Sequence, residues 1–300
     1  MMIKKQLLDD VISIARVAGE KILDIYDQPD KLHIVSKTDE SPLTQADLAA
    51  HHSIVAALNR LTPEVPVLSE ESVLPDFVTR QQWQQYWLVD PLDGTREFIS
   101  RNGEFTVNIA LINNGVPVLG VVYVPVHDVC YAGCHSANSR IALNDALSVK
   151  STDIDLYTHS YACKISNSHR VDIQARCAQA RIDAGLPIEV LASRHHRADA
   201  VDTLCNKIKA QWGPAQLRAM GSSLKLCLIA EGSADLYPRF GPTSEWDTAA
   251  AQAIVEAAGG QVLNASGLAL RYNQKDSMLN PDFFVIGEDL RLWRQFLIDC

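Results

Sequence analysis

The chain has 300 residues, of which 47% are hydrophobic and 21% are charged, and this ordinary composition predicts a folded protein without low-complexity segments. The formal net charge of −9 argues against the broad basic face that binding to a nucleic-acid polymer requires. Because single hydrophobic cores stop growing near about 250–300 residues, we expect two closely packed lobes, residues 1–148 and 149–300.

The N-terminal half predicts helices packed on a mostly antiparallel sheet. Apolar residues at helical spacing predict an opening helix over residues 7–25, and Thr44 is expected to cap a second helix that runs to about Leu61. The stretch PVLSEES at residues 66–72 predicts a short buried strand that ends in acids. From residue 105 to 149, apolar runs alternate with Asn, Gly and Pro, which is typical of antiparallel strands.

The sequence predicts neither a membrane-spanning segment nor a secretory signal. The longest apolar stretch, residues 107–126, is interrupted by Asn, Gly and Pro, so we interpret it as a hairpin. The acidic N-terminal segment lacks a compact apolar region followed by a cleavage site. We therefore expect a cytoplasmic protein, and weak peripheral association with the inner face of the membrane is left open.

The cysteines indicate a reduced compartment. There are seven of them, without CxxC spacing, which suits small buried hydrophobic residues better than disulfides. Cys130, Cys134 and His135 lie close together, but no second ligand pair at zinc spacing accompanies them, so we predict no metal site there.

The C-terminal half alternates strands with helices, which predicts an α/β lobe. We expect a strand at residues 188–194 (IEVLASR) and a helix at residues 201–210 (VDTLCNKIKA). Residues 216–232 (QLRAMGSSLKLCLIAEG) are expected to form a loop leading into a helix. Residues 244–260 (SEWDTAAAQAIVEAAGG) predict a capped helix that ends at two glycines.

Two aspartates, Asp90 and Asp93, flank Pro91 after the apolar run YWLV. Because proline has no N–H to donate, we expect the strand to stop there and the two carboxylates to converge. Carboxylates held together repel each other unless a cation lies between them. Hard oxygen ligands without His or Cys suit Mg²⁺, usually completed by water and a substrate phosphate.

Each nearby acid also has a purely structural interpretation. Asp93 is followed by glycine, a common turn pair. Asp247 could complement the dipole of a helix capped by Ser244, and Asp47 could form a capping box with Thr44. Taken singly, these interpretations are favoured for every acid outside the Asp90 and Asp93 pair.

Taken together, the acids favour a metal and phosphate site. A third carboxylate is offered by Glu70 or Glu71 at a strand end, and a fourth by Asp247 in the first turn of a helix. Gly94 and Thr95 follow the aspartate pair and open toward a helix, where free backbone N–H groups bind anions. Four acids could hold two ions.

Three spaced motifs carry a resemblance to a known family. D-P-L-D-G-T at residues 90–95, preceded by L-S-E-E-S and followed by E-W-D-T-A-A, resembles the Mg²⁺-dependent, lithium-sensitive inositol monophosphatase superfamily over nearly the whole chain. The implied fold is a layered αβαβα sandwich of α+β and α/β character, with the site between the lobes. Four further segments are most similar to the bacterial 3′(2′),5′-bisphosphate nucleotidases of the CysQ type: KTDESPLTQAD, SRHHR, GSSLKLC and YPRFGPTSEWDTAA.

The resemblance assigns roles to individual residues. One Mg²⁺ is implied at Glu70, Asp90 and the carbonyl of Leu92, and a second at Asp90, Asp93 and Asp247. Asp47 and Thr95 are implied to activate the attacking water. The substrate is implied to contact a larger set: Glu70, Leu92, Asp93, Gly94, Thr95, Ser193, His195, Gly221, Ser222, Lys225, Arg239 and Asp247.

Two features lie outside this pattern. Ser69 occupies a position where the family often has glycine. Of the two histidine pairs, we expect His51 and His52 on a helix surface, and His195 and His196 near the substrate pocket.

The implied reaction is hydrolysis of a phosphomonoester. We expect adenosine 3′,5′-bisphosphate to give AMP and phosphate, with its 5′-phosphosulfate analogue as a further candidate substrate. Lys225 and Arg239 are the candidate contacts for the second phosphate. The alternatives are an inositol or sugar phosphatase and, in another class, a Mg²⁺-binding regulatory protein without turnover. Asp47 and Thr95 argue against the last, because ion binding alone needs neither.

Overall fold

The computed structural model describes residues 3–28, 34–36, 42–135, 156–157, 160–194, 198–287 and 290–297. Its α-helices are α1 (Lys5–Tyr26), α2 (Gln45–Leu61), α3 (Phe77–Arg80), α4 (Thr95–Ile99), α5 (Ala178–Asp183), α6 (Ala198–Trp212), α7 (Leu224–Ala230), α8 (Glu245–Ala257) and α9 (Leu290–Leu297). Its strands are β1 (Ile3–Lys4), β2 (Ile34–Ser36), β3 (Pro42–Thr44), β4 (Val67–Ser69), β5 (Gln85–Asp93), β6 (Thr106–Asn113), β7 (Val116–Val124), β8 (Val129–Cys134), β9 (Leu156–Tyr157), β10 (Tyr161–Ser166), β11 (His169–Asp172), β12 (Ile188–Ala192), β13 (Ala215–Ala219), β14 (Leu236–Arg239), β15 (Gln261–Asn264) and β16 (Phe283–Ile286).

The larger sheet has seven strands in the order β11-β10-β8-β7-β6-β5-β4. Every neighbouring pair is antiparallel except β4 and β5, which run parallel. The antiparallel strands predicted from residue 105 onward are confirmed for β6, β7 and β8, whereas residues 136–149 lie outside the described residues. The predicted helices at the N-terminus and after Thr44 are confirmed as α1 and α2.

The sequence predicted that the strand stops at Pro91, but β5 continues to Asp93. Asp90 is opposite Asn108 and Asp93 is opposite Thr106, so β5 carries one extra residue relative to β6. This bulge places Pro91 where the ladder is interrupted, and its missing N–H therefore costs no regular hydrogen bond.

The second sheet has five strands in the order β13-β12-β14-β16-β15. Strand β12 is parallel to both of its neighbours, and the remaining pairs are antiparallel. Residues 215–219, which the sequence placed mostly in a loop, form the edge strand β13. Its side chains are mostly exposed, so no apolar alternation marked it, and main-chain pairing with β12 determines its conformation.

Helices cover both sheets and fill the space between them. Helices α1 and α2 pack on one face of the seven-stranded sheet, around a core that includes Val11, Ile54 and Val107. Helices α7 and α8 lie between the sheets, and α5, α6 and α9 belong to a third core on the far face of the smaller sheet. The order of layers is therefore helix, sheet, helix, sheet, helix.

Helix α8 lies directly on the larger sheet. A Cβ atom on Gly120 of β7 would be 1.9 Å from the carbonyl oxygen of Ala250 in α8, so only glycine permits this contact. The contact fixes the helix relative to β5 and β6, and with it the position of Asp247 in the first turn. The predicted end of α8 before two glycines is confirmed.

The division of the chain at residues 148 and 149 falls within residues 136–155, outside the described residues, and stays a prediction. Strands β10 and β11, from residues 161–172, complete the larger sheet. Among the helices of the described ranges, none combines the length and apolar character that crossing a bilayer requires.

Candidate active site

Three carboxylates converge where β5 meets the first turn of α8. One carboxylate oxygen from each of Asp90, Asp93 and Asp247 lies within 4.8 Å of the others, and Asp90 is only 1% exposed. Within the described part of the chain, this is the only group of three or more His, Cys, Asp or Glu side chains with such spacing. The convergence predicted from the sequence therefore occurs, although β5 reaches it through a bulge.

The electrostatics of this cluster suit a cation. Burial raises the pKa of Asp90 well above its usual range, and the charges of Glu70, Asp93 and Asp247 raise it further. Burial, followed by the charges of Asp93 and Glu70, likewise raises the pKa of Asp247. Without a positive partner, burial and mutual repulsion favour the protonated form of these groups, whereas a divalent cation with oxygen ligands would stabilise all of them as carboxylates.

Glu70 lies beside the same cluster. Its backbone N–H donates to the carbonyl of Val89 at 3.1 Å, which anchors the end of β4 next to β5. Its side chain hydrogen-bonds to Asp90 and thereby raises the pKa of Asp90. Of the two adjacent acids that the sequence offered, Glu70 is thus placed where a ligand is expected.

Asp47 forms the predicted capping box and also contacts Thr95, while its proposed role in activating water stays a prediction. Its Oδ2 accepts hydrogen bonds from the backbone N–H of Thr44 at 2.8 Å and from the Thr44 hydroxyl at 2.6 Å, which completes a capping box for α2. Its Oδ1 accepts from the hydroxyl of Thr95 at 3.2 Å. The helix cap therefore holds a buried carboxylate in a fixed orientation against Thr95.

The backbone around Leu92 is shaped by the same groups. The N–H of Leu92 donates to Asp90 Oδ1 at 3.0 Å, and the Thr95 hydroxyl lies 3.4 Å from the Leu92 carbonyl oxygen. The bulged residues thus bring the Leu92 carbonyl next to the pair formed by Thr95 and Asp47.

A buried polar network behind Asp93 was missed in the sequence analysis. The backbone N–H of Ser223 donates to Asp93 Oδ2, and its hydroxyl donates to Asn108 Oδ1 at 2.8 Å. Thr106 Oγ1 lies 2.8 Å from the same hydroxyl. The signal that could have revealed this network is Asn108 itself, a fully buried amide within an otherwise apolar strand.

A cleft of about 130 Å³ adjoins the acids. Most of the residues predicted to contact substrate line it, namely Asp93, Gly94, Ser193, Gly221, Ser222, Lys225, Arg239 and Asp247. Residues missed by the sequence analysis line it as well, namely Arg96, Glu97, Ser223, Leu226, Tyr237, Thr243, Thr248 and Phe283. His195 and His196 lie outside the described residues.

Two buried cations form one wall of the cleft. Lys225 Nζ donates to the carbonyls of Met220 at 3.2 Å and Ser222 at 2.5 Å. Burial lowers the pKa of Lys225 to about 8, against the opposing effect of Asp93, so its charge is sensitive to pH near neutrality. Arg239 donates from Nη2 to the carbonyl of Pro242 at 2.8 Å, and its Nε has no hydrogen-bond partner among the described residues.

The histidine pair on α2 differs from expectation. His51 is half-buried, and its Nδ1 lies 2.9 Å from the hydroxyl of Ser69. Burial and the neighbouring His52 lower the pKa of His51. His52 is exposed, so the prediction of a helix surface is correct only for His52. Because Ser69 has a hydroxyl where the family often has glycine, it can link α2 to the end of β4.

The other sequence pattern with possible metal ligands is part of the core. Cys130 and Cys134 on β8 are buried free thiols that form no disulfide. His135 Nε2 lies 3.3 Å from Glu256 Oε2. Burial raises the pKa of both thiols to about 12, which disfavours the thiolate form that metals bind.

Metal binding should stabilise the protein more strongly at higher pH. Folding raises the pKa of Asp90 and Asp247, so their protonated forms stabilise the metal-free folded protein. This stabilisation is fully present below the pKa that these groups have in the unfolded chain, and it is lost as pH rises through the folded-state pKa. We expect the rise in Tm on adding Mg²⁺ to be larger at about pH 8 than at about pH 5. Differential scanning calorimetry measures the two Tm values, and an equal rise at both pH values would contradict the binding of a cation by Asp90 and Asp247.

Comparison with known sequences identifies relatives along almost the whole chain. Residues 4–283 match the inositol monophosphatase family. The chain is 46% identical over 279 residues to the 3′(2′),5′-bisphosphate nucleotidase CysQ of Escherichia coli (strain K12), which covers 93% of this chain and 99% of that protein. It is 31% identical over 298 residues to the protein of the same name from Haemophilus influenzae, covering 98% and 97% of the two chains.

Solved structures agree with these relationships. The crystal structure of CysQ from Bacteroides thetaiotaomicron, a bacterial member of the inositol monophosphatase family, matches with a TM-score of 0.71 and 42% identity, covering 94% of this chain and 97% of that one. An inositol monophosphatase from Thermotoga maritima matches with a TM-score of 0.69 over 98% and 96% of the chains, but at 20% identity it supports the fold alone. The predicted layered fold is thereby confirmed.

Proposed function

Because the chain belongs to the inositol monophosphatase family, we propose that it is a metal-dependent 3′(2′),5′-bisphosphate nucleotidase that converts adenosine 3′,5′-bisphosphate to AMP and phosphate. The proposal takes its substrate from relatives named for this activity, which match nearly the full chain. The observation that carries it is the position of Lys225 and Arg239, which face the same cleft as Asp93 and Asp247.

The charge distribution of the cleft supports a substrate with two phosphates. The clustered acids suit a phosphate that reaches the protein through divalent ions. The buried cations Lys225 and Arg239 in the same cleft suit a phosphate that binds the protein directly, because arginine offers a bidentate fork and lysine a compact positive charge. A monophosphate bound through the ions would leave Lys225 and Arg239 without a phosphate partner.

We propose Mg²⁺ as the physiological ion, held by Glu70, Asp90, Asp93, Asp247 and the carbonyl of Leu92. The donors are hard oxygen atoms without sulfur or imidazole, which is the set that Mg²⁺ prefers. When bound, the ions lower the pKa of a water molecule and stabilise both the attacking and the leaving oxygens of an in-line displacement.

The protein residues position the water for this displacement. The hydroxyl of Thr95 donates to Asp47 Oδ1, which leaves the threonine oxygen free to accept a hydrogen bond from the attacking water. The backbone N–H groups of Gly94 and Thr95 are proposed to bind the transferred phosphoryl group. The water oxygen forms a bond to phosphorus and gives up a proton toward Thr95 and Asp47, while the bond between phosphorus and the ribose 3′ oxygen breaks and that oxygen takes up a proton from solvent to leave as a hydroxyl.

Several finer points remain predictions. They are hydrolysis of the 5′-phosphosulfate analogue, a cytoplasmic location and weak contact with a membrane surface. Phosphate release should be measured with both nucleotides and with inositol and sugar monophosphates, each with and without Mg²⁺. We expect Mg²⁺-dependent release that is fastest with adenosine 3′,5′-bisphosphate. A preference for inositol or sugar phosphates would favour the alternative phosphatase, and no release would favour the regulatory protein.

Removing either buried cation should reduce selectivity for the bisphosphate. Loss of one charge-assisted contact costs about 1.5–3 kcal/mol, so Lys225→Ala and Arg239→Ala should each lower kcat/KM for adenosine 3′,5′-bisphosphate about tenfold or more. Hydrolysis of a small monophosphate should fall much less. Lys209→Ala, on the exposed side of α6, provides a control for removal of a positive charge. Equal loss on both substrates would show that these residues do not bind the second phosphate.

A further inference from the structure

One carboxylate beside the cleft, that of Glu104, holds groups from two other parts of the chain. Glu104 Oε1 accepts a hydrogen bond from Arg194 Nη2 at 2.7 Å, and Oε2 accepts from Arg194 Nη1 and from the backbone N–H of Gly221 at 2.7 Å. Burial raises the pKa of Glu104, but the bonds from Arg194 and Gly221 outweigh it and keep that pKa below its usual value. We call Glu104, Arg194 and Gly221 the clamp.

The clamp connects segments that adjoin the two sheets, beside the cleft. Glu104 lies in the segment between α4 and β6, just before β6 enters the larger sheet. Arg194 follows β12 of the smaller sheet, and Gly221 begins the turn that leads into α7. None of the three is a proposed metal ligand, so the clamp can be changed without removing a ligand from the metal site.

The clamp determines the position of the turn that holds Lys225. The Lys225 ammonium donates to the carbonyls on either side of Gly221, those of Met220 and Ser222. The turn lies close to α4, since a Cβ on Gly221 would be 2.5 Å from Cγ of the Glu97 side chain. Fixing the N–H of Gly221 therefore fixes the two acceptors that orient the ammonium.

We propose that Glu104 and Arg194 are positioning residues for recognition of the second phosphate, acting through the turn at residues 220–223 on Lys225. This inference rests on the proposed nucleotidase function. Glu104 holds the turn, and Arg194 holds Glu104 in the orientation that reaches Gly221. The alternative is that Arg194 leaves Glu104 and binds the phosphate itself.

The two roles of Arg194 predict different results for substitution of Glu104. If the clamp positions the turn, Glu104→Ala and Arg194→Ala disrupt the same set of hydrogen bonds. We divide kcat/KM for adenosine 3′,5′-bisphosphate by kcat/KM for a small monophosphate and call the result the selectivity ratio. Each variant should lower the selectivity ratio about fivefold, mainly by raising KM for the bisphosphate, and the double variant should lose no more than either single variant. If Arg194 binds phosphate directly, Glu104→Ala should release it and improve the ratio.

The effect on the turn can be measured without substrate. Hydrogen exchange at the Gly221 amide should accelerate in Glu104→Ala, because its acceptor is lost. Glu104→Gln retains an oxygen acceptor and should restore slow exchange together with part of the selectivity. The matched control is Arg170→Ala, which removes an arginine as exposed as Arg194 from its ion pair with Asp9 at 2.6 Å, and it should leave exchange and both activities unchanged.

The possible results distinguish failure of the clamp proposal from failure of the proposed nucleotidase function. Unchanged exchange at Gly221 in Glu104→Ala, or a selectivity ratio that does not fall, overturns the clamp even when the wild-type protein hydrolyses the bisphosphate. Additive losses in the double variant also overturn it, because they show that Glu104 and Arg194 act separately. Failure of the wild-type protein to hydrolyse the bisphosphate rejects the nucleotidase, and with it a clamp for the second phosphate.

Discussion

Replacing Asp90 with asparagine is expected to abolish phosphate release while leaving the protein folded. Asp90 is the acid proposed to contact both ions, and it lies within hydrogen-bonding reach of Glu70 and close to Asp93 and Asp247. Loss of the metal-assisted step should slow turnover about a thousandfold or more, which corresponds to about 4 kcal/mol in the activation barrier. Phosphate release at saturating Mg²⁺ measures the loss.

The fold should tolerate this change. Asparagine carries no charge, so it avoids the burial of a carboxylate and the repulsion that ionisation of Asp90 would add to the cluster, and the Tm of the metal-free variant should equal or exceed that of the wild-type protein. Asp183→Asn makes the same substitution at an exposed position on α5 and should leave activity unchanged. Near-normal turnover in a folded Asp90→Asn variant would reject the assignment of two ions.

Asp47→Asn and Thr95→Ala should each lower kcat about 10²-fold to 10⁴-fold with little change in KM, because orienting the attacking water matters mainly in the transition state. The two side chains are joined by a 3.2 Å hydrogen bond and are proposed to act on one water molecule. The double variant should therefore lose far less than the product of the single losses. Steady-state kinetics of the three variants provides the test, and multiplicative losses would show that the two residues act separately.

The helix cap complicates the interpretation of Asp47, because the same carboxylate stabilises α2. Asparagine retains an oxygen that can accept from the N–H of Thr44, so most of the cap should survive. Thr44→Ala tests the cap directly, and loss of such a cap usually costs about 0.5–2 kcal/mol of stability. It should lower Tm more clearly than kcat, whereas Asp47→Asn should do the reverse.

The sequence predicted the parts of the site that depend on local chemistry. Thr44 and Asp47 form the capping box that their three-residue spacing suggests, and α8 ends before two glycines. The acids of the DPLDGT segment converge with Asp247 because strand ends and helix starts meet at the same edge of a layered fold. These features follow from spacing, turn chemistry and the repulsion between like charges.

Features that depend on distant parts of the chain were not predicted. The bulge at Pro91 depends on the register of β5 against β6, and β13 is a strand because it pairs with β12. The contact of His51 with Ser69 and the clamp at Glu104 join residues between 18 and 117 positions apart. The spacing of residues along one sequence cannot predict such distant contacts, since each of these side chains alone resembles an ordinary polar residue.

The identity of the product tests the central proposal most directly. Phosphorus NMR should follow adenosine 3′,5′-bisphosphate incubated with the protein and Mg²⁺, with the Asp90→Asn variant as the control. We predict that the resonance of the 3′-phosphate disappears while inorganic phosphate and AMP accumulate, and that the variant leaves the spectrum unchanged. Release of the 5′-phosphate, or an unchanged bisphosphate under conditions where an inositol monophosphate is consumed, would contradict the assignment as a 3′(2′),5′-bisphosphate nucleotidase.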